Sequence, residues 1–184
     1  MAITWSRIAR RIRVPLGFAF AVLYLWLARP TLAFMALSLI LVIPGIWLRA
    51  YASGYVKKNT ELTVTGPYAF TRNPLYLGSM LMAFGFALAS RSIWIAAALV
   101  LLFIVIYVPV IRSEEAFLRS KFPAFDAYAA QVPRLLPRLT PANAGDGERG
   151  RFSIELYRNH REYNALMGAV AIYAALALRI YFWS

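Results

Sequence analysis

The chain has 184 residues, 61% of them hydrophobic and only 15% charged, against roughly 45–50% and 25% in soluble domains, so lipid must solvate much of its surface. Its net charge of +12 does not mark a nucleic-acid binder, because the basic residues punctuate apolar runs instead of covering one soluble face. With no cysteine and the single histidine His160, the chain has no disulfide framework, no thiolate nucleophile and no zinc–thiolate site. Any metal centre would have to be built from carboxylates, and none is expected.

The first apolar run, residues 14–28, follows a basic stretch of Arg7, Arg10, Arg11 and Arg13. It has the flanks of a signal peptide but no small-x-small cleavage site behind it, so it is read as a span. At about fifteen residues it rises only about 22 Å, and it must borrow its flanks or sit in a thinned region. Arg29 and Pro30 lead straight into a second run, residues 31–48, as a tight helical hairpin. A polar stretch, 49–73, separates this from a third run, 74–89. The turn Ser90-Arg91-Ser92 then opens a fourth, 93–111. Residues 112–131 mix charge with apolar and aromatic side chains, with Glu114, Leu118 and Lys121 at helical spacing, which predicts an amphipathic helix stopped by Pro133, Pro137 and Pro141. Residues 142–150 are rich in Gly and charge, and 165–183 form a fifth apolar run.

The expected fold is therefore all-α, a multi-pass membrane protein with about five spans in two tight hairpins plus a C-terminal helix. It reads as one membrane domain: a first hairpin (14–48), a core carrying the second hairpin and a cytoplasmic cap (62–138), a linker (139–162) and a terminal span (163–184). Charge supports this count. With the N-terminus in the cytoplasm, seventeen of the twenty Lys and Arg and all eight acidic residues fall on the cytoplasmic side, leaving Arg29, Arg91 and Arg179 outside, as the positive-inside rule requires. That polar face is where an active site is expected, assembled from 49–73 and 112–138, which flank one hairpin.

Those two segments carry Gly66-Pro67-Tyr68, Arg72-Asn73-Pro74-Leu75-Tyr76 and Arg112-Ser113-Glu114-Glu115. The run GPYAFTRNPLYLG (66–78), then a hairpin, then RSEEAFLRSKFPAFDAY (112–128) and the Pro-Arg-Leu-Leu-Pro stretch at 133–137 resembles the isoprenylcysteine carboxyl methyltransferase and phospholipid methyltransferase superfamily of membrane enzymes. The resemblance implies S-adenosylmethionine as cofactor and a lipid or lipidated small molecule, arriving from the bilayer, as substrate. It also implies a cofactor site lined by Tyr68, Arg72, Asn73, Pro74, Tyr76 and Gly78 from one side and by Glu115, Glu114 and Leu118 from the other. Many members carry histidine where this chain has Asn73, and the asparagine looks more like the bacterial, phospholipid-methyltransferase-like branch, which places the chain in a bacterial inner membrane.

Residue chemistry agrees. A sulfonium zwitterion with ribose and adenine wants a carboxylate acceptor (Glu115), a cation for its own carboxylate (Arg72) and aromatic walls (Tyr68, Tyr76). Methyl transfer is an in-line displacement that needs alignment and exclusion of water more than a covalent nucleophile. Arg112 would hold an acceptor carboxylate, and Glu114 would take the proton of an acceptor amine.

Each signal has a plainer reading. Gly66, Pro67 and Pro74 are also turn and helix-start residues. Arg72, Tyr76 and Glu115 also suit an interface, and His160 needs only the role of a solvated interfacial residue. Lys57 and Lys58 fit the headgroup layer. Gly145-Asp146-Gly147-Glu148-Arg149-Gly150 matches G-x-G-x-x-G, but no strand precedes it. Two other classes compete with the methyltransferase: an NADPH-dependent membrane reductase of the sterol reductase type, and a non-catalytic membrane scaffold.

Overall fold

The computed structural model describes residues 19–57, 60–142 and 150–183. The basic N-terminal stretch, Lys58 and most of the G-x-G-x-x-G run lie outside them. Helix α1 (19–27) is followed by α2 (Leu32–Ser53), a 3₁₀ turn (Gly66–Ala69), α3 (Pro74–Ser90) and α4 (Ile93–Leu102). A π-helical segment (Phe103–Tyr107) carries α4 into α5 (Val108–Lys121), and α6 (Phe125–Gln131), α7 (Ile154–Asn159) and α8 (Tyr163–Trp183) complete the chain. No strand occurs among the described residues, and the all-α membrane fold is as expected.

Among the described residues three helices are long and apolar enough to cross a bilayer: Leu32–Ser53, Ile93–Lys121 and Tyr163–Phe182. Of the other two expected spans, α3 is apolar but 17 residues long, and α1 is described only over 19–27. Side chains such as Ile40, Trp94 and Val170 stand exposed along these helices, which is the normal state of a surface that lipid covers.

Three boundaries differ from the sequence expectation. Helix α2 continues to Ser53, so Arg49 is a helical residue and not the start of a loop. The fourth span and the charged segment are one helix of 29 residues, Ile93–Lys121, because a change from apolar to charged composition does not interrupt backbone hydrogen bonding. Its π-helical segment lies just upstream of Pro109, where the ring removes one N–H and crowds the preceding turn. The break expected at Pro133 comes earlier, at residues 122–124 around Pro123, so the amphipathic helix is two helices, α5 and α6. Within 139–162, α7 is capped by Ser153, whose hydroxyl accepts from the Leu156 N–H at 3.3 Å.

The described residues form two compact units. In one (1–42, 83–116 and 169–184) the core is Tyr24, Ala28, Ala87, Ala89, Ile95 and Leu176. The Tyr24 hydroxyl donates to the Phe86 carbonyl at 2.8 Å, and the Ser38 and Tyr173 hydroxyls meet at 2.5 Å. The Arg179 guanidinium donates to the carbonyls of Leu25 and Trp26, two of the acceptors that the end of α1 leaves without helical partners. The turn between α3 and α4 holds Arg91 at φ 52° and is fastened to the end of α1 by Arg29 N–H to Ser90 O at 2.8 Å.

The second unit (43–82 and 117–168) joins the end of α2, the start of α3 and the start of α8. Gly45 and Gly78 bring α2 and α3 together: a Cβ on Gly45 would stand 2.7 Å from the Gly78 carbonyl oxygen, and one on Gly78 2.8 Å from that of Gly45. Arg49, on the same face, donates to the Ser79 hydroxyl and the Leu75 carbonyl of α3 and pairs with Glu162 just ahead of α8 at 2.7 Å. Three helix ends thus meet at one guanidinium.

Candidate functional site

The first motif is a loop between α2 and α3 whose shape follows from its residue types. Gly66 sits at φ +60°, and a Cβ there would stand 2.6 Å from the Tyr55 ring, so the tight approach admits only glycine without strain. Pro67 fills the first turn of the 3₁₀ helix. Asn73 precedes α3, its carbonyl accepting from the Leu77 N–H at 3.0 Å, and Pro74 takes the first helical position, where a missing N–H costs nothing.

This loop is laced to the Pro-rich stretch at 133–142. Arg72 N–H donates to Pro133 O at 2.9 Å, Arg138 N–H to Phe70 O at 2.9 Å and Ala142 N–H to Ala69 O at 2.9 Å. The Thr71 hydroxyl, buried at 2% exposure, faces Arg134 O at 3.2 Å and Leu135 O at 3.0 Å. The Asn73 side-chain amide donates to Arg134 O at 3.0 Å, and the Tyr128 hydroxyl donates to Tyr68 O at 2.8 Å. Two of the sequence segments that carry the family resemblance are therefore one hydrogen-bonded element.

Of the residues expected at the site, Tyr68 and Pro74 are buried and Arg72, Asn73, Tyr76 and Leu118 half-buried, all in the second unit. Gly78 also lies there, against Gly45 and Arg49. Arg112, Glu114 and Glu115 belong to the first unit. Along this one helix Arg112 is exposed and Glu114 half-buried, while Glu115 is only 4% exposed. Carboxylates are almost never so deeply buried unless held by other groups, and Glu115 has such a partner in the structure.

Sequence reasoning gave no individual role to Thr71 or Tyr128, although both lie within the two motifs, and counted Arg49 only among the cytoplasmic charges. His160, expected to be solvated, is half-buried with Nδ1 3.1 Å from the Ser53 carbonyl at the end of α2. Beside it, Tyr51 and Tyr55 share a hydroxyl contact of 3.0 Å. That hydrogen bond, with burial second, pushes the Tyr55 phenol up to about 12. Phe152 covers Gly54, stacking on Tyr51 with centroids 6.1 Å apart. Among the described residues no group of three or more His, Cys, Asp or Glu is placed to hold a metal ion.

Residues 16–124 match the family of phospholipid methyltransferases, a stretch that covers more than half of the chain and includes the first motif and the Arg112–Glu115 cluster. The chain belongs to the phospholipid methyltransferase family. It is 39% identical over 116 residues, 62% of this chain and 54% of the relative, to the nickel-cobalt-cadmium resistance protein NccN of Alcaligenes xylosoxydans. Over 110 residues, 60% of this chain and 50% of the relative, it is 39% identical to the cobalt-zinc-cadmium resistance protein CzcN of Cupriavidus metallidurans. The chain spans about half the length of these curated relatives. No solved structure matches it significantly.

Proposed function

We propose that the chain is an S-adenosylmethionine-dependent methyltransferase acting on a lipid or lipid-like amphiphile at the cytoplasmic face of a bacterial inner membrane. The burial of Glu115 carries this reading: in a chain of the phospholipid methyltransferase family, the second motif withdraws a carboxylate to 4% exposure. A buried acceptor of that kind suits the ribose hydroxyls of the cofactor, to which it would offer charge-assisted hydrogen bonds.

The remaining residue types fit the cofactor as well. Arg72 would pair with its carboxylate, Tyr68, Tyr76 and Leu118 would wall the adenine and the thioether, and Asn73, Pro74 and Gly78 would set the backbone of the loop and helix that present them. Bound there, S-adenosylmethionine supplies a methyl group activated by its sulfonium. The chain's part is to align an acceptor with that methyl and to keep water out. Arg112, exposed on the same helix as Glu115, would hold a carboxylate or phosphate of the amphiphile, and Glu114 would accept the proton released by an amine acceptor.

NccN and CzcN are named for resistance to nickel, cobalt, zinc and cadmium. A chain without cysteine and with one histidine offers few ligands that those ions prefer. We infer that any part it plays in metal tolerance runs through a methylated membrane component.

Calorimetric titration of the detergent-purified protein with S-adenosylhomocysteine and, separately, NADPH tests the reading. Saturable binding of the first alone, lost in Glu115→Gln while the unfolding temperature is kept, is the expected result. Binding of NADPH alone would replace the transferase with a reductase, and binding of neither would leave a scaffold.

A further inference from the structure

We propose that residues 134–139 form a fixed wedge that inserts Leu136 and Leu139 into an anionic phospholipid leaflet while Arg134 and Arg138 engage its phosphates. Leu136 is 79% exposed and Leu139 fully exposed, although neither lies in a membrane-crossing helix. Apolar side chains at such exposure in a loop are usually mobile, but this loop is tied down at both ends and in the middle. Pro133 O, Arg134 O and Leu135 O are bonded to the 71–73 backbone and side chains, and the N–H groups of Arg138 and Ala142 to Phe70 and Ala69. The Arg138 guanidinium returns to Gln131 O at 2.8 Å. The two leucines are thus held outward on a braced backbone, at no further cost in loop ordering when they are covered.

Position and charge select the partner. Asn73, which holds Arg134 O, immediately precedes the first residue of α3, an apolar helix of 17 residues. Such a helix spans about 25 Å, less than the roughly 30 Å of a bilayer's hydrocarbon core. Its first residue therefore belongs at the boundary between acyl chains and headgroups, and the loop bonded to Asn73 is held at that level. Residues 132–142 contain two arginines and no acid. Guanidinium groups bind phosphate oxygens in pairs, and leucines between them fit the acyl boundary, as in other interfacial membrane-binding elements. An anionic leaflet meets both demands, whereas a neutral one meets only the apolar demand. The wedge does not depend on the proposed methyl transfer, and its test involves no cofactor.

The chain contains no cysteine, so Leu136→Cys, Leu139→Cys and, as a control in the exposed polar loop, Thr60→Cys each provide a single labelling site in the full protein. With an environment-sensitive fluorophore attached and the protein in nanodiscs of phosphatidylglycerol and phosphatidylcholine, the probes at 136 and 139 are expected to emit to the blue of the probe at 60. They should also be quenched several-fold more by a nitroxide on the upper acyl chain than by a water-soluble nitroxide. Arg134→Gln with Arg138→Gln, or discs of phosphatidylcholine alone, should reduce that lipid quenching at least twofold. Aqueous quenching at 136 and 139 equal to that at 60 overturns the wedge. Lipid quenching unaffected by both the substitutions and the lipid charge overturns the choice of an anionic leaflet. Blue emission without lipid quenching, accompanied by disulfide cross-linking between copies of unlabelled Leu136→Cys, overturns it in favour of a second copy of the chain.

Discussion

The Arg49 guanidinium lies 2.7 Å from the Glu162 carboxylate, 113 residues further along the chain. The two side chains are only 24% and 13% exposed, and Arg49 also holds Leu75 O and Ser79 at the start of α3. One side chain in the last turns of α2 thus fixes the first turns of both α3 and α8.

Removing either partner strands the other in a poorly solvated place. Arg49→Met is expected to cost about 2–3 kcal/mol, the lower end for a buried pair because some water reaches both groups. Glu162→Gln should cost less, since the amide still accepts from the guanidinium. Thermal unfolding in detergent checks the order, and the Arg49→Met, Glu162→Gln double variant should lose less than the sum of the single losses. Equal stability of Arg49→Met and wild type would show that the three helix ends are held by packing alone.

Glycine at 45 and at 168 answers to different demands although both are helical. A Cβ on Gly45 would meet the Gly78 carbonyl oxygen at 2.7 Å and the Met82 N at 3.0 Å, backbone atoms that cannot step aside, whereas a Cβ on Gly168 meets nothing within 4 Å. Gly45→Ala is expected to push α2 from α3 at a cost of about 2 kcal/mol. Gly168→Ala should be neutral or stabilise α8 by about 0.5 kcal/mol through reduced chain entropy. Unfolding temperatures of the two variants, measured side by side, should move in different directions or at least differ by several degrees.

These cases show what the sequence discloses and what it withholds. The membrane class, the tight turn at Arg91 and the two motifs were legible because hydropathy, charge asymmetry and residue spacing act locally. The continuation of α2 through Arg49 was not, because a charge inside an apolar helix is tolerated only through partners, and Glu162 is remote in sequence. Residues 112–131 were read as one helix because the periodicity carries on through Pro123, where the backbone breaks. The joining of 69–73 to 133–142 rests mainly on backbone carbonyls, which every residue has, so side-chain identity could not announce it. Burial of Glu115 rather than Glu114 turns on helix rotation by a single residue, which composition alone leaves open.

The Tyr51–Tyr55 hydroxyl contact predicts an alkaline limit. The Tyr55 phenol is raised from its ordinary 10.0 to about 12, by the hydrogen bond first and burial second. Between those values the folded protein keeps a proton that the unfolded chain releases, so the contribution is fully present below pH 10 and is lost as pH rises through about 12. Unfolding temperature should therefore fall over this window, and Tyr55→Phe should make the fall shallower. Ultraviolet titration of the phenolate band supplies the second check: the wild type should have one more late-ionising tyrosine than Tyr55→Phe.

Thr71 should govern how firmly the 133–138 segment is held. Its hydroxyl is buried and stands 3.2 and 3.0 Å from two successive carbonyls. Thr71→Val keeps the shape but leaves those acceptors short of a donor at a local cost of about 1–2 kcal/mol. Asn73→Ala removes a second donor to Arg134 O at a partly solvated position and should matter less. Because Arg134 is exposed and its peptide bond to Leu135 is a trypsin site, the effect can be read as a cleavage rate: several-fold faster in Thr71→Val, less so in Asn73→Ala, and near the wild-type rate in Thr71→Ser, which retains the hydroxyl. A Thr71→Val protein cut no faster than wild type would mean that the backbone bonds from Arg72, Arg138 and Ala142 hold the segment unaided. Accelerated cutting in Thr71→Ser as well would trace the effect to the lost methyl group and its packing.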